Sequence, residues 1–212
     1  MKDAFKLGIH VLCIVLVSPL LLVFVLSSLV IGKDRALEGA SQTLAPLPGL
    51  WGMFLRRAFL RCVLAHCHRT ADIGFGTLFS QCGARIDANV YIGPRCHLGL
   101  IHLEENVLLA AGVHIPSGGK THSFEDSDTP IKDQGGQRSL VTIGAGAWLG
   151  SAAIVMADVG KGTIVGAGSV VTKPLPENVI AAGVPAKVIR VRTEMINHEG
   201  TKTRRNHETE SD

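Results

Sequence analysis

"IGAGAWLGSAAIVMADVGKGTIVGAGSV", residues 143–170, decides the fold. Cut into sixes it reads IGAGAW and LGSAAI, then, after four intervening residues, VGKGTI and VGAGSV. Each unit opens on Ile, Leu or Val, carries glycine second, and holds Ala, Thr or Ser fifth. The same beat runs upstream through IGFGTL from Ile73, IDANVY and IGPRCH from Ile86, and LEENVL and LAAGVH from Leu103. One such unit means nothing, but nine at a common period are a specific signal of a repeat architecture.

A six-residue unit makes one short strand and one corner, so three units close a triangular coil. Aliphatic residues point inward and stack on those of the next coil, while glycine relieves the corner backbone. Stacked coils hydrogen-bond to one another at ~4.8 Å spacing. The two ends of such a stack are open edges that need caps. Between Leu98 and Leu103 the step is five and between Val155 and Val159 it is four, so corners there are shortened.

The beat stops for one long polar segment, 116–141, which contains His122. Polarity alone marks it as a surface excursion, a kind of segment that often carries function.

At 212 residues the chain is one modest domain with extras, and its net charge of +3 makes no case for a nucleic-acid partner. Aromatic content is low at 5%, and 24 glycines, about 11% against the usual ~7%, suit a turn-rich repeat. The five cysteines, 13, 62, 67, 82 and 96, are odd in number and scattered, which argues against a disulfide framework and for a reducing compartment. The run His66-Cys67-His68, near Cys62, reads as packing rather than metal binding. "GAGAWLG" and "GKGTIVGAG" do not fit a dinucleotide loop, because no helical pattern follows them.

Residues 8–32, "GIHVLCIVLVSPLLLVFVLSSLVIG", contain no Asp, Glu, Lys or Arg. A helix of that length spans the ~30 Å hydrocarbon core, so a membrane anchor over 1–35 is predicted. No A-x-A cleavage site follows closely, so the segment is read as retained. Basic residues after it bias the C-terminal side to the cytoplasm. Residues 36–69 are read as a linker and a basic amphipathic helix, "WGMFLRRAFLRCVLAHC". With Arg56, Arg57 and Arg61, that helix suits anionic headgroups or a cap on the repeat. From 193 the chain is polar, and disorder is expected beyond about 195.

The hexapeptides, the expelled loop and the phrase "IVGAGSVVTKPLPENVIAAGVPAKVIR" together resemble the hexapeptide-repeat acyltransferases. The likeness is closest to the galactoside, maltose and exopolysaccharide O-acetyltransferases, and it covers roughly residues 70–192. It implies an all-β, left-handed parallel β-helix, an exception to the right-handed crossover rule. It further implies a homotrimer with clefts between subunits and acetyl-CoA as acyl donor, with no metal required. "GGKTHSFED" matches the stretch holding the family's loop base, which makes His122 the candidate catalytic residue. A neutral imidazole would take the acceptor hydroxyl's proton, with Glu125, Asp126 or Asp128 to orient it.

The resemblance also assigns CoA positions. Ser151, in "WLGS", lies where the thioester end runs, and Trp148 is the family's frequent aromatic at the loop's return. Ala167, Thr172 and Lys173 match CoA-contacting positions, while Lys173 and Arg190 suit phosphate pairing. For the acceptor, Asn89 is the sole nominee, since His97 and Leu98 stand where an acidic pair is expected. A saccharide carried on lipid or on a nascent surface polysaccharide then fits an enzyme attached to membrane lipid at the inner (cytoplasmic) membrane, its catalytic domain facing the cytoplasm. Two rivals remain open. One is a γ-type carbonic anhydrase using His97 and His102 with His114 or His122, and the other is a silent trimeric scaffold.

Overall fold

A computed structural model describes residues 2–192, so the expected tail lies outside the described residues. The hexapeptides stack into a three-sided parallel β-solenoid. Face A holds β1 (His66–Cys67), β4 (Arg85–Ile86), β7 (Ile101–Leu103) and β10 (Val141–Ile143). Single bridges at Val159 and Leu175 continue it. Face B holds β2 (Asp72–Ile73), β5 (Tyr91–Ile92), β8 (Leu108–Leu109), β11 (Trp148–Leu149), β13 (Ile164–Val165) and β15 (Val179–Gly183). It ends in β16 (Ala186–Val191), which pairs antiparallel with β15 and covers its edge. Face C holds β3 (Leu78–Phe79), β6 (His97–Leu98), β9 (His114–Ile115), β12 (Ile154–Val155) and β14 (Val170–Val171).

The repeat pattern translates position by position. The first residue of each unit is buried, as at Ile73, Ile92, Leu109 and Leu149, and Phe79, Leu98, Ile115 and Val171 complete the same inward columns. Fifth residues are buried beside them, and the polar ones bring their own partners. The Thr77 hydroxyl donates to the Gly93 carbonyl at 3.0 Å, and the Thr163 hydroxyl to the Pro176 carbonyl at 2.6 Å. Left unpaired, each would cost about 1–3 kcal/mol.

The corner's conformational demand falls on the fourth residue, not on the glycine at position two. In all nine units the fourth residue is left-handed, from φ 57° at Asn89 to φ 75° at Gly76. Gly and Asn fill most of these places, but Arg95 and Ala152 occupy two. Glycine at position two answers to coil spacing instead. A Cβ on Gly150 would meet the Ala167 backbone nitrogen at 2.5 Å.

Inward residues advance by six from face A to B and from B to C, as in 86, 92, 98 or 143, 149, 155. Every departure lies on the edge from C to A: 79 to 86, 98 to 103, 115 to 143, 155 to 159 and 171 to 175. Both shortened corners expected from sequence therefore belong to one edge, and so does the loop.

Three helices precede the solenoid: α1 (Lys2–Ile31), α2 (Lys33–Leu44) and α3 (Gly49–Val63). Residues 33–44, read in part as linker, are helical because Ala36, Leu37, Ala40, Ser41 and Leu44 form one buried stripe. The stripe is short and polar-interrupted, which hid it. The Ser41 hydroxyl bonds the Phe79 backbone, and the Asp34 carboxylate accepts the Cys82 N–H at 2.9 Å. Arg56 does not reach toward headgroups. It is buried, and its guanidinium donates to the carbonyls of Ile73 at 3.1 Å, Leu44 at 3.3 Å and Leu47 at 2.7 Å. Arg57 pairs with Asp72 at 3.3 Å. Together α2 and α3 close the open end of the first coil. Helix α1 lies on the outer side of that cap, where Phe24 meets Phe59 edge-on at 5.9 Å. Its segment Val11–Ile31 is long and apolar enough to cross a membrane.

Candidate active site

The loop between β9 and β10 is built on one residue. The Leu100 N–H donates to the Ser117 hydroxyl oxygen at 2.9 Å, and the Leu100 carbonyl accepts the Val141 N–H at 3.1 Å. Both feet of the excursion thus stand on the shortened corner between β6 and β7, and Ser117 is itself buried.

Above the feet the two arms run side by side. The Ser139 N–H reaches the Ser117 carbonyl at 2.9 Å, Gln137 reaches Lys120 at 2.8 Å, and Ser123 reaches Gly135 at 2.8 Å. His122 sits in this ladder, exposed to solvent. Gly136 faces it across the seam, where a Cβ would lie 2.0 Å from the Thr121 oxygen and 2.7 Å from the His122 nitrogen. The tip is tied by Asp126, whose carboxylate accepts the Thr129 hydroxyl at 2.6 Å and the Asp128 N–H at 2.8 Å. The Thr129 hydroxyl, then the Asp128 N–H, hold its carboxyl below the usual range. Asp126 is therefore committed to the turn. Among the described residues no carboxylate pairs with the His122 imidazole, so the orienting acid expected from sequence is not assembled within this chain.

The residues assigned to CoA fall on different sides of the prism. Trp148 and Arg190 belong to face B, with Arg190 in register with Ile180. Ser151 and Ala167 lie on the B–C edge, one coil apart, where the Gly168 N–H donates to the Ser151 carbonyl at 2.8 Å. Thr172 and Lys173 are exposed on the C–A edge, the edge that emits the loop. Asn89 occupies the A–B corner with φ 57°, and its amide bonds Asn106 of the next coil at 3.3 Å.

Face C carries a cleft of about 550 Å³ that sequence reasoning did not foresee. Its floor is His97, His114 and Ile154, Pro116 at the loop's root borders it, and Glu38, Ser41 and Gln42 of α2 wall it. The two imidazoles stack with centroids 4.6 Å apart. Burial, then the neighbouring His114, lowers the pKa of His97. Both histidines are sixth in their units, IGPRCH and LAAGVH, and that shared place was the available signal.

His102 lies on face A instead, bonded to Asp87 at 2.9 Å, with His66 3.8 Å from the same carboxylate. His97 and His102 thus sit on different faces, and the described residues contain no metal-binding group of three His, Cys, Asp or Glu. Cys67 points into the core while His66 and His68 flank it. Burial pushes the Cys67 thiol up to about 12 and the Cys96 thiol to about 11.

No family model matches the chain. Among curated proteins it is 38% identical over 93 residues to the galactoside O-acetyltransferase of Escherichia coli (strain K12), covering 42% of this chain and 43% of that protein. It is 34% identical over 149 residues to the "Putative lipopolysaccharide biosynthesis O-acetyl transferase WbbJ" of the same strain, covering 60% of this chain and 74% of that one. The first match thus spans less than half of its relative. Two solved structures share the fold. One is a maltose O-acetyltransferase from Clostridium difficile 630 (TM-score 0.64, 23% identity, 76% of this chain and 89% of that one). The other is a galactoside acetyltransferase in complex with coenzyme A (TM-score 0.59, 24% identity, 77% and 84%). With a relative 34% identical and matched over nearly three quarters of its length, this chain belongs to the hexapeptide-repeat acetyltransferases.

Proposed function

We propose that the protein transfers an acetyl group from acetyl-CoA to a saccharide hydroxyl, on a lipid-linked or surface-polysaccharide precursor at the cytoplasmic face of the inner membrane. The observation that carries this reading is the likeness to the "Putative lipopolysaccharide biosynthesis O-acetyl transferase WbbJ", joined to a structured loop that presents His122.

The chemistry needs a base, because an alcohol does not ionise unaided at neutral pH. As the hydroxyl oxygen attacks the thioester carbonyl, its proton passes to the His122 imidazole. Collapse of the tetrahedral intermediate breaks the C–S bond, and the imidazolium returns the proton to the CoA thiolate. No atom or electron is left over. The ladder that flanks His122 restricts the loop backbone on which the imidazole is carried.

Lys173 and Arg190 are exposed cations suited to the phosphates of the donor. The candidate CoA residues are divided between face B, the B–C edge and the C–A edge, so one chain does not gather them. A homotrimer supplies the remedy, since a neighbouring subunit can set its own B–C edge against the loop of the next. The face C cleft is of the size that takes a sugar ring, and it opens beside the loop's root.

The test is radiolabelled transfer from acetyl-CoA onto lipid-linked glycan extracts, comparing the native protein with His122→Ala. Loss of transfer by ~100- to 10,000-fold with an unchanged melting temperature supports the assignment. Undiminished transfer refutes His122 as the base.

A further inference from the structure

Helix α1 carries two faces that make opposite demands. Cys13, Ile14, Val17, Leu20, Leu21 and Phe24 return every three or four residues and pack into the core that α2 and α3 share with the first coil. On the other side Val15, Leu16, Leu22, Val23, Leu26 and Leu29 are exposed. The second face asks for lipid, whereas the first is already occupied.

An upright span is surrounded by hydrocarbon for ~30 Å, about 20 residues. The packed stripe from Cys13 to Phe24 takes up about 17 Å of that length at ~1.5 Å per residue. The elements packed on it are charged. The chain turns at Gly32 and α2 begins with Lys33, Asp34 and Arg35, while α3, which also packs on α1, carries Arg56, Arg57 and Arg61. Standing α1 upright with these contacts intact would draw such groups into hydrocarbon, where charged side chains are costly. Swinging α1 away about Gly32 would uncover Phe59, now 0% exposed and packed on Phe24 with ring centroids 5.9 Å apart.

We infer that α1 is an in-plane membrane anchor. It lies along the lipid–water boundary with its exposed side among the acyl chains and its packed side on the cap, and both of its ends are on the solenoid's side of the bilayer. This deepens the membrane attachment proposed above and rests on it. It also places α2 between the bilayer and the face C cleft, since Ala36 and Leu37 of α2 belong to the shared core while Glu38, Ser41 and Gln42 wall the cleft. An acceptor held in the same membrane by an acyl or polyprenyl chain is then presented at the cleft's rim.

The full chain in inside-out membrane vesicles provides the test. A protease-cleavable tag placed before Lys2 is expected to be cut together with the solenoid, from the same side. A tag that stays protected while the solenoid is digested overturns the inference in favour of an upright span. A fluorescent residue introduced singly at Val15, Leu22 or Leu29 gives an independent reading, because brominated lipids should quench all three at one shallow depth. Quenching that deepens and then recedes along the helix overturns the inference as well. Failure to float with phospholipid vesicles would overturn both the in-plane anchor and the membrane attachment. None of these readouts depends on acetyl transfer, so they fail separately from the enzymatic reading.

Discussion

His97 and His114, from adjacent coils of face C, lie ring on ring with planes 9° from parallel. Parallel register sets them opposite each other, and the shared sixth place in the hexapeptide turns both outward. Burial and the neighbouring ring both work against a proton on His97. Its folded pKa therefore lies below the ordinary 6.5, and the unfolded chain takes up the proton first as pH falls. Neutral His97 is fully stabilising above about pH 6.5 and loses ground as pH drops from there toward its lower folded value. Thermal melts between pH 8 and 5 should show this, and His97→Asn should flatten the acid limb of the curve. An identical acid limb in both proteins would mean that the stack carries no such linkage.

Arg56 is a buried cation balanced by carbonyl oxygens rather than by a carboxylate. Arg56→Met should lower unfolding free energy by about 2–4 kcal/mol, because the acceptors at Ile73 and Leu47 lose their donor away from water. Lysine keeps the charge without the planar fork, so Arg56→Lys should fall close to the methionine variant. Urea denaturation measures both.

At Gly136 the absence of a side chain is what lets the loop's arms close. Gly136→Ala should slow the proposed transfer several-fold while moving the melting temperature little, since the solenoid's core is untouched. A comparable fall in kcat is expected from Asp126→Ala, which unties the tip. Single-turnover kinetics beside calorimetry separates loop disorder from global destabilisation.

Ala152 occupies a left-handed corner without the freedom that glycine has there. Replacing it with glycine should stabilise the fold by about 1 kcal/mol, and Gly146→Ala should cost a similar amount. The pair of chemical denaturation curves should move in opposite directions.

Lys173 and Arg190 supply the sharpest check on the donor. Lys173→Ala or Arg190→Ala should raise KM for acetyl-CoA about tenfold with kcat largely kept, and should shrink the preference for acetyl-CoA over its dephospho form. If neither moves KM, the phosphates lie elsewhere.

Much of the solenoid was legible because its physics is local. An aliphatic residue six positions on specifies the next inward place wherever the chain passes from face A to B or from B to C, as from Ile86 through Ile92 to Leu98, and only the C–A edge breaks the count. The fourth-position corner was less visible because Gly, Asn, Arg and Ala share that conformation while differing in chemistry. The helical cap was harder still. Arg56 looks like a surface cation in sequence, and only the convergence of two backbone segments, 44–47 and Ile73, makes it a buried one. The site divides in the same way. His122 stood out by its place in the one long interruption, whereas the cleft needed the stacking of His97 on His114 and the approach of α2. The shared sixth place in the hexapeptide aligns the two rings, but the approach of α2 is a contact that no local pattern encodes.

The confinement of every irregular step to the C–A edge has a wider consequence. Leu109 and Leu149 pair as direct neighbours in face B, and His114 with Ile154 in face C, although the loop separates them in sequence. The prism does not register the insertion at all. A segment of another length or chemistry could be grafted between Ile115 and Val141 with the chassis unaltered, so new reactivity can arise at that seam without renegotiating the fold.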